Sequence, residues 1–189
     1  GKANGSMQRD FWYSTSRRRE DLEEASQVGR TAGARTVRRL GARKLNTCQV
    51  PILFEAPIAS SLLSHFIGAI SGGALYRKAS FLLDHFGKSV FPDFVRIHEQ
   101  PLLPRAMGSA AFDSEGVATK ARDIVAGGVL EGYVLDSYSA RRLGLETTGN
   151  AGGVHNLTID PGKDDLSELV KSLDRGLLVT ELIGFGVNT

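Results

Sequence analysis

Chemistry in a chain of 189 residues needs nucleophiles, acids and metal ligands at workable spacing, and here the supply is thin. The four histidines, His65, His85, His98 and His155, stand far apart, and none belongs to an H-E-x-x-H or H-x-x-x-H pair. With Cys48 as the one cysteine, no multi-thiolate zinc site can be assembled. His65 lies in "LLSHFIGAISGG" (Leu62 to Gly73), between Ser64 and Phe66 on an apolar helical stretch. It reads as a buried or interface histidine held by one hydrogen bond. Serine catalysis has no G-x-S-x-G elbow to start from. The loop Gly149-Asn150-Ala151-Gly152-Gly153 could cradle an anion with its N–H groups, but it lacks the Lys-Ser/Thr of a phosphate loop and reads as a structural turn. Asp113 and Glu115 in "FDSEG" offer two hard oxygens on one side of a strand. Two carboxylates alone are too few for a metal and fit a turn better.

The elements that must position these residues are legible from periodicity and breakers. "MQRDFWYSTS" (Met7 to Ser16) alternates like a strand. Asp21 or Ser26 is placed to cap a helix reaching about Leu40, with Val28, Ala32, Val37 and Leu40 on one stripe and Gly41 closing it. "CQVPILFEA" (Cys48 to Ala56) predicts a short buried strand, after which Pro57 takes the first position of an apolar helix. Gly68 and Gly72 are expected to admit a close backbone approach. A second short helix is predicted over "SFLLDHFGKSVF", ended near Gly87, then a strand in "DFVRIHEQP". "RDIVA" and "LEGYVLD" flank Gly127-Gly128, the strongest hairpin signal in the chain. Ser137 or Ser139 can cap a helix closed by Gly144. "VHNLTI" predicts a strand, Asp165 to Leu173 a last helix, and "LLVTELIG" another strand. Strands mixed with helices, without regular alternation, predict an α+β fold with a mainly antiparallel or mixed sheet and several packed helices.

Composition narrows the classes further. Hydrophobic residues make up 41% and charged residues 23%, as in a globular protein. No apolar run reaches the ~18–20 residues of a membrane span, so no membrane partner is expected. No signal peptide pattern occurs at the N-terminus, and one cysteine fits a reducing compartment, so the cytoplasm is the expected location. Residues 1–50 carry eleven Lys/Arg against five Asp/Glu, and the remainder twelve against sixteen. Such a basic face could meet phosphates, but without interleaved aromatics or a reading helix nucleic acid is not the expected partner. The final apolar run has no closing turn, so a fragment of a larger chain is expected.

Several blocks resemble the TldD/PmbA family of metallopeptidases, also called the modulator of DNA gyrase family, and in particular its PmbA (TldE) branch. They are "NGSMQRDFWY", "RKLNTCQVPILFE", "GAISGGALYRKASFLLDHFGK", "FDSEGVATKARDIVAGGVLEGYVLDSYSARRLGLETTGNAGGVHN" and "GLLVTELIGFGVNT". Family members are longer at both ends. The resemblance implies that residues 1–46 end the family's middle segment, a strand plus a helix. Residues 47–189 would open its C-terminal segment, without the final strand-rich portion. In the TldD branch the helix equivalent to the one after Pro57 carries H-E-x-x-x-H, two zinc ligands and a water-activating glutamate. Aligned through Gly68 and Arg77-Lys78, those positions are Ser64, His65 and Ala69 here. A further zinc ligand of the family, a cysteine, lies beyond this chain. Positions five apart sit about 140° apart around a regular helix, so two ligands there need a local distortion. Gly68 keeps the permissive residue for it.

The resemblance therefore implies a non-catalytic subunit with no catalytic residue and no metal or cofactor of its own. Zinc is expected on a TldD-type paralogous partner, in a hetero-oligomer; a homodimer is the other assembly. Extended, unfolded peptides such as microcin precursors and antitoxins are the expected substrates. The alternatives are an independently active metallopeptidase with a rearranged site, and a basic nucleic-acid-binding module.

Overall fold

The hairpin centred on Gly127-Gly128 forms as its sequence requires. Strand β5 (Arg122–Ala126) turns into β6 (Val129–Leu130), with Val125 opposite Leu130 and both turn glycines at positive φ, 55° and 76°. That is the primed turn whose twist matches the strands. The second arm is shorter than "LEGYVLD" predicts. Val134 instead bridges in parallel to Ser71, exchanging bonds with Ile70 (3.1 Å) and Gly72 (2.8 Å), so the chain leaves the sheet to clasp the end of a helix. Strands β4 (Ile97–Glu99) and β7 (Leu157–Ile159) complete an antiparallel sheet of order β6-β5-β4-β7. All three residues of β4 are buried, as suits a strand with neighbours on both edges.

The computed structural model describes residues 1–3 and 5–183. Among them the chain forms two units by contact, Gly1–Gln49 with Arg105–Met107, and Val50–Pro104 with the chain from Gly108. The α+β class with mixed pairing holds: the second unit also contains a parallel pair, β3 (Ile52–Phe54) beside β8 (Leu177–Val179).

In the first unit, β1 (Lys2–Ala3) and β2 (Ser6–Met7) make a minimal hairpin. The predicted strand over Met7 to Ser16 ends at Met7, because its residues find ring and ion contacts in place of a partner strand. Trp12 donates to both oxygens of Glu23 (3.3 Å) and lies 5.4 Å under the Arg35 guanidinium, while Phe11 stacks on Tyr13. Helix α1 spans Ala25–Arg38, and its N-cap is Glu24 without a side-chain bond, so neither Asp21 nor Ser26 plays that part. Asp10 pairs with Arg35 and Arg39 of this helix region at 3.4 and 3.6 Å.

In the second unit, α2 (Ala56–Ala69) follows β3 directly, with Pro57 at its second position. Its apolar face packs Phe66 edge-to-face on Phe91 at 5.1 Å, over a core of Ile70, Leu82, Ile97, Ile124, Val125 and Leu130. The short helix predicted from Ser80 to near Gly87 is a series of turns. Asp84 (φ 60°) and Gly87 (φ 74°) take left-handed conformations that no α-helix continues through, and Ser80 bonds to Ala69 O and Leu82 N. The short α3 (Gly72–Tyr76) packs on α4 (Ser137–Leu143) through Gly72, where an added Cβ would fall 2.0 Å from Ser139 Oγ. Gly72 is thus the close-approach glycine, whereas Gly68 has open space beside it. Asp136, not Ser137 or Ser139, caps α4, and Gly144 ends it in the left-handed region. Helix α5 (Leu166–Ser172) has the full reciprocal box between Asp165 and Glu168.

Two glycines with the same backbone sign separate strain from crowding. Gly116 has φ 80° and nothing within 4 Å, while a Cβ on Gly128 would meet Phe91 O at 2.2 Å. Gly116→Ala should cost about 1–2 kcal/mol from the left-handed backbone alone. Gly128→Ala should cost about 3 kcal/mol or more, since backbone must move as well. Urea unfolding of the intact protein with each variant checks the ranking.

Candidate functional site

Ser64, His65 and Ala69 lie on one regular helix, α2, which ends at Ala69. Ser64 is exposed and its hydroxyl donates back to Ser60 O (3.2 Å). His65 is half-buried, and the carbonyl of Ala69 accepts from Ser80 Oγ at 2.6 Å. Of the three, only the imidazole is a zinc-type donor; a hydroxyl and a methyl stand at the other two positions, five residues and about 140° apart. The residues at this place therefore do not fit a zinc ion. Among the described residues no group of three or more His, Cys, Asp or Glu is arranged to hold a metal.

The other histidines are not brought to α2. His85 Nδ1 is 2.8 Å from Leu83 O. His98 Nδ1 lies 3.3 Å from Asp160 Oδ1, within ion-pair range but not aligned for a hydrogen bond. His155 joins a buried polar cluster that local sequence patterns do not reveal. Glu99, only 2% exposed, stands at the centre of the sheet directly opposite Arg122 of β5. Its Oε2 accepts from Arg122 Nε (3.2 Å), and its Oε1 accepts from Asn150 Nδ2 (2.7 Å) and from the His155 backbone N–H (2.6 Å), with His155 Nδ1 at 3.1 Å. The Arg122 fork reaches on to Tyr133 O (2.9 Å) and Asn150 Oδ1 (2.8 Å). The hint in the sequence is a charged residue, Glu99, inside the strand predicted over "DFVRIHEQP".

This cluster decides the role of the glycine-rich loop. Asn150 is buried and spends its side chain on Glu99, Arg122 and Thr148. The loop N–H groups of Gly149, Ala151 and Gly153 are taken by Thr147 Oγ1, Asp113 Oδ2 and Asn150 O. With those donors engaged, the loop is a structural turn. Asp113 is its counterpart on the facing segment. Burial pushes its carboxyl up, but the N–H groups of Ala151, Val117 and Glu115 outweigh this and hold it below the ordinary value of 3.8. Glu115 accepts from Ser137 N at the start of α4. The pair supports turns, as two adjacent acids without a third ligand should.

Two predictions follow from these geometries. Arg122→Met should destabilise by about 3–5 kcal/mol by stranding the Glu99 carboxylate, and Glu99→Gln in the same chain should restore part of it, a coupling of about 1–3 kcal/mol in a double-mutant cycle. The lowered Asp113 pKa contributes stability that is present above the ordinary carboxylate range and lost as pH falls through the lowered value. Melting temperature should therefore drop more steeply with acid below about pH 4 in the parent than in Asp113→Asn.

Comparison with known proteins agrees with this architecture. The family model described as "PmbA/TldA metallopeptidase C-terminal domain" matches residues 47–189. The metalloprotease PmbA of Escherichia coli O157:H7 is 45% identical over 185 residues, covering 98% of this chain and 41% of the relative. A Bacteroides thetaiotaomicron protein, solved as a candidate modulator of DNA gyrase, superposes with a TM-score of 0.90 at 32% identity, over 97% of this chain and 41% of that one. TldE of Thermococcus kodakarensis superposes at 0.67 with 26% identity, over 87% and 41%. Homologues named TldD also match, the Haemophilus influenzae one at 30% identity over 53% of this chain and 21% of its own length. The chain spans about 41% of the length of the PmbA relatives it matches. It belongs to the PmbA/TldD metallopeptidase family.

Proposed function

We propose that this chain is part of the non-catalytic, PmbA (TldE)-type subunit of a two-chain zinc metallopeptidase. Zinc and the water-activating glutamate belong to a TldD-type partner, and unfolded peptides such as microcin precursors and antitoxins are the substrates. The observation that carries the reading is α2 itself. The helix is intact and continuous to Ala69, yet one imidazole is all it presents at the three positions where the TldD branch has two ligands and an acid. A subunit that keeps the scaffold while a paralogue keeps the donors has a shaping role, lining the chamber and orienting an extended peptide. Residues 1–46 close the family's middle segment and 47–189 open its C-terminal one, a division supported by the contact boundary between Gln49 and Val50. No described helix is long and apolar enough to cross a membrane. The single, exposed Cys48 supports a cytoplasmic location for the pair.

The test is metal analysis and peptide hydrolysis on the intact protein, alone and co-expressed with a TldD-type chain. Alone it should hold no stoichiometric zinc and cleave no unstructured peptide. With the partner, both zinc and cleavage should appear, in a complex larger than either chain by size-exclusion chromatography. Stoichiometric zinc on the isolated protein that disappears in His65→Ala would establish a rearranged site of its own and end the proposal.

A further inference from the structure

At the ends of α3 and α4, two arginines converge on one tyrosine. Tyr76 closes α3, and its ring meets Tyr138 of α4 edge-to-face, with centroids 5.7 Å apart and planes at 83°. The Arg77 guanidinium lies 5.4 Å from the centre of the Tyr76 ring and donates to its hydroxyl (3.3 Å). That of Arg142 lies 6.0 Å from the same centre. Basic residues at helix C-termini complement the macrodipole, which accounts for their presence at these positions. It does not account for both heads being gathered over one ring, where two positive charges repel. Among the described residues, no carboxylate is in an ion pair with either guanidinium, and both arginines are exposed. Lys78, held at φ 57° just past α3, and Arg141 add to the local positive charge. Asp136, at the start of α4, feels Arg141, while Glu115 is engaged with Ser137 N there.

The helices beneath the platform are packed on each other. α3 and α4 touch at Gly72 and Ser139, and Leu75, Leu135 and Ala140 form the small core beneath them. Gly73, without a side chain, leaves the space where Arg77 lies back along α3, 3.5 Å from where a Cβ would be. Two planar forks over one ring, with an exposed aromatic edge beside them, suit a carboxylate on a flexible chain. An arginine can bind it bidentately without first paying to order itself.

We propose that Tyr76, Arg77, Tyr138 and Arg142 form a docking platform for the carboxylates of acidic peptides. This rests on the reading of the chain as a peptide-handling subunit and adds a preference to it: peptides carrying Asp or Glu are held over α3 and α4.

Calorimetric titration of the intact protein, without the TldD-type partner, tests the platform by binding alone. The probes are an unstructured ten-residue peptide with four Glu, its Gln counterpart, and both with free or amidated C-termini. At low salt the Glu peptide should bind at least about tenfold tighter than the Gln peptide, with an advantage that shrinks as salt rises. Arg77→Gln with Arg142→Gln should abolish that discrimination with an unchanged thermal melt. Arg142→Lys, which keeps the charge and loses the planar fork, should lower it by about threefold. Lys120→Gln with Lys163→Gln, both exposed and outside the platform, should leave it intact. A difference between free and amidated C-termini in the Gln peptide as large as that between the Glu and Gln peptides overturns the preference for side-chain carboxylates. Equal binding of Glu and Gln peptides with amidated and free ends, or discrimination that survives loss of both arginines, overturns the proposal. A protein that passes this test yet fails to yield zinc or cleavage with its partner would sink the assignment as peptidase subunit and leave the platform standing.

Discussion

The second unit depends on a carboxylate almost wholly removed from water. Glu99 sits on the central strand of a four-stranded sheet, where apolar burial would ordinarily be expected. A charge in that place is tolerated because every direction open to it ends in a donor: a guanidinium across the strand pair, an amide from the glycine-rich loop, and a backbone N–H at the start of β7. Desolvation makes each of these bonds stronger and makes the absence of any one costly. The cluster therefore fixes where the loop at Gly149–Gly153 and the strand after it lie relative to the sheet. Apolar packing could hold the same elements, but it would not specify that single arrangement as sharply.

Around this hub the apolar core is modest in size. Ile97, Ile124, Val125 and Leu130 of the sheet cluster with Phe66 of α2 and with Ile70 just past its end. Helix α2 thus has a structural duty independent of metal chemistry. Its inward residues anchor it to the sheet, and its end is sutured to Val134 by two backbone bonds. Phe66 and Ile70 carry its buried contacts, Ala69 packs against the same core, and Ser64 faces solvent.

Several departures from simple patterning have the same origin. Phe11 and Tyr13 alternate with polar neighbours as in a strand, but stack on each other and stay exposed, while Trp12 turns to Glu23 and Arg35. The stretch after Ser80 is apolar enough for a helix, yet Asp84 and Gly87 in left-handed conformations give turns that put Leu82 into the core. At α4 the cap is neither Ser137 nor Ser139 but the residue before them, Asp136, whose carboxylate makes a charge-assisted bond with Ser139 N. Each outcome was settled by which partner was available in space.

What the sequence by itself determined was whatever a few consecutive residues control. The Gly127-Gly128 turn, the α2 helix after Pro57, the Asp165–Glu168 box and the mixed α+β class all rest on backbone φ, side-chain period or capping within a turn or two. The family resemblance was legible for the same reason, since it concerns identity at a position. Tertiary structure alone decided that Glu99 meets residues 23 to 56 positions away. It also decided that Gly72, not Gly68, marks the close approach, and that Arg77 and Arg142 share one ring. Contacts of that separation leave no periodic trace, because their partners are chosen by the path of the whole chain and not by neighbours along it.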